Sequence, residues 1–198
     1  MRISDWSSDV CSSDLSMQPV ELDKLVQEVI DDVQPRAAEL EVSVVLQMST
    51  PPPTVLADTD KIKEVIFNLI GNSLKFTPKG GKITVSFMQT DTMVTVKVVD
   101  TGSGIEAEDL PKLFQKFGLL PGSYVTNQAA LGTGLGLYIC KSIIELHEGK
   151  ITASSPGRGK GAEFSFSLKI FNQVDMKRLS EKYAHESNNA VDLIHSQV

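Results

Sequence analysis

Asn68, Asn72 and Lys75 stand at i, i+4 and i+7 of an apolar-periodic segment, so a helix would carry all three on one face. Two carboxamide oxygens one turn apart can reach a single hard cation, directly or through water. An ammonium one turn further on suits a phosphate. Magnesium takes few protein ligands and completes its shell with phosphate oxygens and waters, so this sparse oxygen supply is adequate. A second constellation, Asp100-Thr-Gly102-Ser-Gly104, ends an apolar strand and begins a turn. A buried carboxylate there can accept a hydrogen bond from the exocyclic amine of adenine, which separates ATP from GTP. Gly102 and Gly104 would let the backbone pass close to the base. The third constellation is Gly132-Thr133-Gly134-Leu135-Gly136-Leu137. Glycines at the first turn of a helix leave free N–H groups at the positive helix end, a natural phosphate site.

Each constellation has a plainer reading. Helical asparagines often cap or bond into a core, Asp-Thr-Gly is a common turn, and a run of alternating glycines is as often a hinge. Asp-Thr-Gly after an apolar strand is also the signature of aspartic proteases, where paired carboxylates from two chains share a proton. A dimeric acid protease would leave the other two stretches unexplained. It predicts cleavage abolished by Asp100→Ala and indifferent to ATP.

Taken in order, with Leu113-Phe114-Gln-Lys116-Phe117 between the last two, the stretches from Asn68 to Thr77, Asp100 to Gly104 and Gly132 to Leu137 resemble a known set. They are similar to the N, G1, F and G2 boxes of the catalytic ATP-binding domain of bacterial sensor histidine kinases. That domain belongs to the superfamily of DNA gyrase, the Hsp90 chaperones and MutL. The resemblance runs from about Val20 to Leu168. It implies ATP and Mg2+ as cofactors, with Asn72 as the magnesium ligand. It puts Asn68 where hydrolytic relatives carry a water-activating glutamate. An amide is no general base at neutral pH, so the pocket is expected to hold ATP for transfer. Asn68 and Lys75 are the residues expected to act at the phosphates, and Gly132, Thr133, Gly134, Leu135 and Gly136 to cradle them. Phe76 is expected against the ribose or adenine. Phe114 and Phe117 would anchor a lid over residues 118–131, with Gly118 and Gly122 allowing movement. Ordinary core packing is an open alternative for all three phenylalanines.

The lid departs from the family pattern. Many of these kinases place an arginine or lysine there for the γ-phosphate, but no basic residue lies between Lys116 and Lys141. Lys75 and Lys116 would supply the positive charge, with Thr126, Asn127 or Gln128 offering neutral hydrogen bonds. This bears on transfer rate more than on ATP binding. The implied function is presentation of the γ-phosphate of Mg-ATP to a phosphoacceptor histidine on a dimerisation domain that this chain lacks, with a response regulator downstream. An anti-sigma-type serine kinase or a non-catalytic ATP-binding module would use the same pocket. His147, at the end of a helix, is expected to act as a cap or through the helix dipole. His185 and His195 carry no motif, and Cys140 is expected in the core.

The chain has 198 residues, 41% of them hydrophobic and 22% charged, which suits one soluble domain with appendages. A net charge of -6 speaks against nucleic acid and against a basic membrane-binding surface. No apolar run reaches the roughly 18 residues of a spanning helix, so direct membrane contact is not expected. The segment is expected in the cytoplasm, whether or not its parent is anchored. Asp5 to Leu15 reads as the in-frame translation of a short-read sequencing adapter, so residues 1–15 are expected to be an assembly artefact and are set aside, a natural Ser/Asp-rich linker being the alternative. Removing Arg2 against Asp5, Asp9 and Asp14 takes the charge from -6 to -4, and removes Trp6 and Cys11. The natural chain is then expected to continue upstream of Ser16.

The elements that must position these groups follow from periodicity. Leu22, Leu25, Val26, Val29, Ile30 and Val33 predict a helix over 20–40, and Val42–Leu46 a strand. A second helix starts on Asp58 or Thr59 and ends near Thr77, before Pro78 and Gly80-Gly81. Ile83–Phe87 and Met93–Val99 read as a hairpin turning near Asp91. A third helix is predicted from Thr133 to His147, closed by Gly149. Lys150–Ser155 and Ala162–Leu168 form a last hairpin across Pro156-Gly-Arg-Gly. The expected fold is a two-layer α/β sandwich over 16–170, its helices on one face of a mixed, mainly antiparallel sheet, with an ATP lid. A polar tail covers 171–198.

Overall fold

The computed structural model describes residues 15–116 and 134–172, together with Val174 and Lys177. The expected lid, Phe117, Gly132, Thr133, Cys11, His185, His195 and most of the tail lie outside the described residues. The strands are β1 (Met17–Val20), β2 (Ser43–Gln47), β3 (Val55–Asp58), β4 (Lys82–Gln89), β5 (Met93–Asp100), β6 (Lys150–Ser154) and β7 (Ala162–Lys169). The helices are α1 (Leu22–Glu39), α2 (Thr59–Phe76) and α3 (Gly136–Leu146), with a 3-10 turn at Leu110–Lys112.

Five strands form one sheet in the order β2-β4-β5-β7-β6. β2 runs parallel to β4, and every other pairing is antiparallel. Alternation decides which face is wet. Val94, Val96 and Val98 of β5, with Phe164, Phe166 and Leu168 of β7, are buried under the helices. The residues between them are polar, as at Thr95, Lys97, Glu163 and Ser167. On that side Lys97 pairs with Glu163 across the strands at 3.1 Å. The architecture is therefore the two-layer α/β sandwich that the periodicities predict.

The helices seal the other face. α1 buries Leu22, Leu25, Val26, Val29, Ile30, Val33 and Ala37, and α2 buries Ile62, Val65, Ile66, Leu69, Ile70 and Leu74. Both are the stripe that a period of 3.6 produces. α2 begins on Asp58, whose carboxylate accepts the Lys61 N–H at 3.1 Å.

Three details differ from the sequence expectation. β1 and β3 pair antiparallel in a separate two-stranded sheet. At four residues each, they carry no alternation to betray them. α3 starts at Gly136 rather than Thr133, because Gly134 adopts a left-handed φ of 70° that no α-helix contains. Beyond α3 the left-handed residue is Glu148, φ 56°, and not Gly149. Gly149 is required instead because a Cβ there would collide with the carbonyl of Ser167.

Candidate functional site

Asp100 is the last residue of β5 and is 5% exposed. Its Oδ1 accepts the Gly102 N–H at 2.8 Å and the Ala162 N–H at 3.2 Å. Its Oδ2 accepts the Ser73 hydroxyl at 3.3 Å. Burial pushes the carboxyl above its ordinary value, and these three donors pull it back toward the ionised form. A carboxylate has about four lone-pair directions. Among the described residues three are used, and the remaining one belongs to Oδ2.

The turn after Asp100 is clamped from two sides. The Ser103 N–H donates to the Phe76 carbonyl at 3.1 Å, at the end of α2. A Cβ on Gly102 would lie 2.6 Å from that same carbonyl oxygen and 2.7 Å from Asp100 Oδ1, so only glycine fits. On the other side sits the loop 155–161, which the sequence reading treats as a mere hairpin turn. The Gly159 N–H donates to the Ser103 carbonyl at 2.6 Å and the Gly161 N–H to the Gly102 carbonyl at 3.1 Å. Ser155 Oγ accepts the Ile105 N–H at 3.0 Å. Gly104, at φ 67°, abuts the Gly157 carbonyl.

Asn68, Asn72 and Lys75 lie along α2, all half-buried. Asn68 Nδ2 donates back to the Glu64 carbonyl at 3.0 Å. Its Oδ1 faces the start of α3, where a Cβ on Gly136 would stand 3.1 Å away. The second and third constellations of the sequence thus reach α2 from different elements. Asn72 makes no side-chain hydrogen bond among the described residues. Lys75 Nζ lies 5.2 Å from the ring centroid of Phe76, within cation–π range. Asn68 and Phe76 are eight residues apart on α2, so the two ends of the site are separated by about 12 Å. Leu135 precedes the first turn of α3 with no side-chain cap, leaving the helix's first N–H groups without that partner. Leu113 is buried and Phe114 packs against the core, while Lys116 is exposed.

Sequence reasoning missed two contributors and the long-range contact of a third. Ser73 directly follows Asn72 and could have been flagged by its place on the buried stripe of α2. Thr77, one turn further, has a buried hydroxyl with no hydrogen-bond partner among the described residues. Such an orphan at the adenine end of the candidate site calls for a water or a ligand atom. His147 is the third, in part: of its two expected roles the structure shows the cap, at the end of α3, and not the dipole interaction. It is 2% exposed, and burial lowers its pKa from the ordinary value. A neutral ring cannot act as a helix-end cation. Its Nδ1–H donates to the Ile143 carbonyl at 2.7 Å, which leaves Nε2 to accept the Asp58 N–H at 3.0 Å. No signal local to residue 147 points to Asp58. Cys140 is buried as expected, and burial pushes its thiol up to about 12.

No group of three or more His, Cys, Asp or Glu side chains among the described residues could hold a metal. A cation here would have to share Asn72 with a ligand's own oxygens. No helix among the described residues is long and apolar enough to cross a membrane.

Comparison with known proteins matches residues 57–171 to the family of histidine kinase-, DNA gyrase B- and HSP90-like ATPases. The adaptive-response sensory kinase SasA of Synechococcus sp. (strain JA-3-3Ab) is 36% identical over 163 residues, covering 81% of this chain and 42% of that protein. The chain spans less than half the length of the curated relatives it matches. Full-length ShkA in complex with AMPPNP superposes with a TM-score of 0.70 at 29% identity, over 81% of this chain and 33% of that one. The nucleotide-free catalytic domain of the histidine kinase ThkA gives 0.66 at 28%, over 78% and 97%. ThkA in complex with its response regulator TrrA gives 0.65 at 28%, over 79% and 42%.

Proposed function

From a chain that belongs to the family of histidine kinase-, DNA gyrase B- and HSP90-like ATPases, we propose one specific part: the ATP-binding catalytic domain of a sensor histidine kinase. Its task is to present the γ-phosphate of Mg-ATP to a phosphoacceptor histidine on a dimerisation domain outside this chain. The observation that carries this reading is the arrangement along α2. A buried carboxylate with one unused lone pair stands at one end, and a second helix's N-terminus stands against Asn68 at the other.

The residues fit the ligand. Asp100 Oδ2 would accept the adenine amine. Phe76 would lie against the ribose or base. The first turn of α3, entered through Gly134, Leu135 and Gly136, would donate N–H groups to the phosphates, and Gly132 and Thr133 would extend that cradle. Lys75 and Lys116 would supply positive charge. Asn72, which makes no side-chain hydrogen bond among the described residues, would hold magnesium, which when bound neutralises charge on the phosphates. Asn68 orients the γ-phosphate and cannot activate water, so catalysis rests on positioning an in-line attack by the incoming histidine. This role places the segment in the cytoplasm, with a response regulator as the downstream partner.

Two measurements test the proposal. Mg-ATP should bind the full chain with Asp100→Asn at least tenfold weaker, because removing one partner of a buried charge-assisted contact costs about 1.5–3 kcal/mol. Equal affinity would remove the adenine role. Supplied with a histidine-bearing helical hairpin of a related kinase and labelled ATP, the chain should transfer phosphate to that histidine. Binding without transfer would favour a non-catalytic ATP-binding module, a reading that the absence of basic residues between Lys116 and Lys141 supports. Transfer to a serine of a partner protein would favour the anti-sigma-type kinase.

A further inference from the structure

α2 and α3 pack against each other, and two specific contacts mark the ends of that packing. At one end the Asp58 N–H donates to His147 Nε2 at 3.0 Å, across 89 residues of sequence. At the other, Gly136 lies against Asn68 Oδ1. The contacts are ten residues apart along α2, from 58 to 68, and eleven along α3, from 136 to 147. At helical rise these spans are about 15 and 16.5 Å, so the two antiparallel helices are pinned at both ends of one nearly matched length. We infer that His147 is a positioning residue for phosphate binding: by holding the Asp58 N–H it sets where the N-terminus of α3 stands relative to Asn68 and Asn72. This rests on the nucleotide reading above and deepens it.

Three observations carry the inference. The ring is a rigid spacer with both nitrogens engaged, since Nδ1–H is tied to the Ile143 carbonyl of α3 itself at 2.7 Å. Asp58, its partner, is the residue that starts α2: Oδ1 accepts the Lys61 N–H at 3.1 Å, and Oδ2 accepts the Ser16 N–H at 2.9 Å. One residue therefore fixes the origin of α2 and, through His147, the far end of α3. At the phosphate end there is no side-chain padding to absorb a slide. A Cβ on Gly136 would already be at 3.1 Å from Asn68, and the first turn of α3 has no side-chain cap of its own. Close-packed interiors transmit displacements of this kind rather than absorbing them. The adenine end is different, because Asp100 is held by Ser73, Gly102 and Ala162, none of which lies on α3.

That difference gives a readout that a merely structural role would not produce. Loss of fold weakens every ligand by the same factor, whereas displacement of α3 weakens only those that reach it. The affinities of Mg-ATP and of AMP are to be measured on the full 198-residue chain and on His147→Leu, His147→Asn and His147→Gln. Urea midpoints on the same samples report the folded fraction. His147→Leu removes both ring bonds. His147→Asn keeps a donor for Ile143 but cannot reach the Asp58 N–H. Both should weaken Mg-ATP about tenfold and leave AMP within about twofold, as expected for one lost buried hydrogen bond acting at the phosphates. His147→Gln, whose amide can present an acceptor at the position of Nε2, should recover most of the Mg-ATP affinity. If His147→Leu does not fold, the asparagine and glutamine variants carry the same comparison. Equal losses for both ligands, or unchanged Mg-ATP affinity in His147→Asn, would overturn the positioning role alone. Failure of the unsubstituted chain to bind Mg-ATP would overturn the nucleotide reading, and the positioning role with it.

Discussion

Asp100 accepts three protein hydrogen bonds and keeps one lone pair, and that geometry makes its ionisation the variable to watch. Burial raises its pKa, so adenine binding should weaken on acidification sooner than for an ordinary aspartate. Ser73→Ala removes a donor that favours the ionised form. The midpoint of that acid loss should then move to higher pH in ATP titrations, with wild-type affinity nearly retained at neutral pH. The glycines around the carboxylate separate in a similar way. Gly161 has φ 74° and a Cβ there would strike the Asp100 carbonyl, whereas Gly157, also at positive φ, has open space around it. Gly161→Ala should cost about 2–3 kcal/mol and Gly157→Ala about 1 kcal/mol, the difference being the collision added to backbone strain. Thermal melts of the two variants decide it. The sequence made Asp100, Gly102 and Gly104 visible because they are contiguous. It hid Gly157 to Gly161, whose importance comes from a loop that meets them only in three dimensions.

At the level of elements, α1, α2 and both hairpins of the main sheet could be read from spacing alone. Their apolar residues repeat for long enough to fix a period, and Asp58, Pro78 and the paired glycines mark their ends. β1 and β3 could not, since four residues do not establish alternation. Nor could the link between α2 and α3, because a buried histidine looks the same in sequence whatever it touches. That link has a pH consequence. The folded-state pKa of His147 is lowered below its ordinary value near 6.5, so the unfolded chain binds the proton more readily. Its contribution to stability is complete above that unfolded value and is lost as the pH falls through and below it. The urea midpoint should therefore drop between pH 7.5 and 5.5, and His147→Gln should flatten that dependence. An unchanged slope in the variant would assign the effect to other groups.

For the molecule as a whole, the layers are polar outside and apolar between, and the candidate site runs along α2 from its C-terminal end, where β5 also ends, to the start of α3 about 12 Å away. A ligand that bridges all three ties the helical layer to the sheet. Anything that binds only the folded form stabilises it by mass action, about 2.7 kcal/mol at a hundredfold excess over Kd. Mg-ATP should raise the melting temperature by several degrees, whereas GTP, which has a carbonyl where adenine has its amine, should leave it unchanged. An equal rise with both nucleotides would mean that Asp100 does not read the base.

Cys140 gives the interior a reporter. Its side chain is fully enclosed where α3 meets α2 and the sheet, and its thiol is held near 12, so a thiol reagent at neutral pH finds neither access nor thiolate. With Cys11, the other cysteine, replaced by serine, modification can proceed only through molecules that have opened. The labelling rate then becomes a stopwatch for excursions of α3 away from the sheet. Run with and without Mg-ATP, it separates a ligand that merely occupies the cleft from one that locks the two layers together.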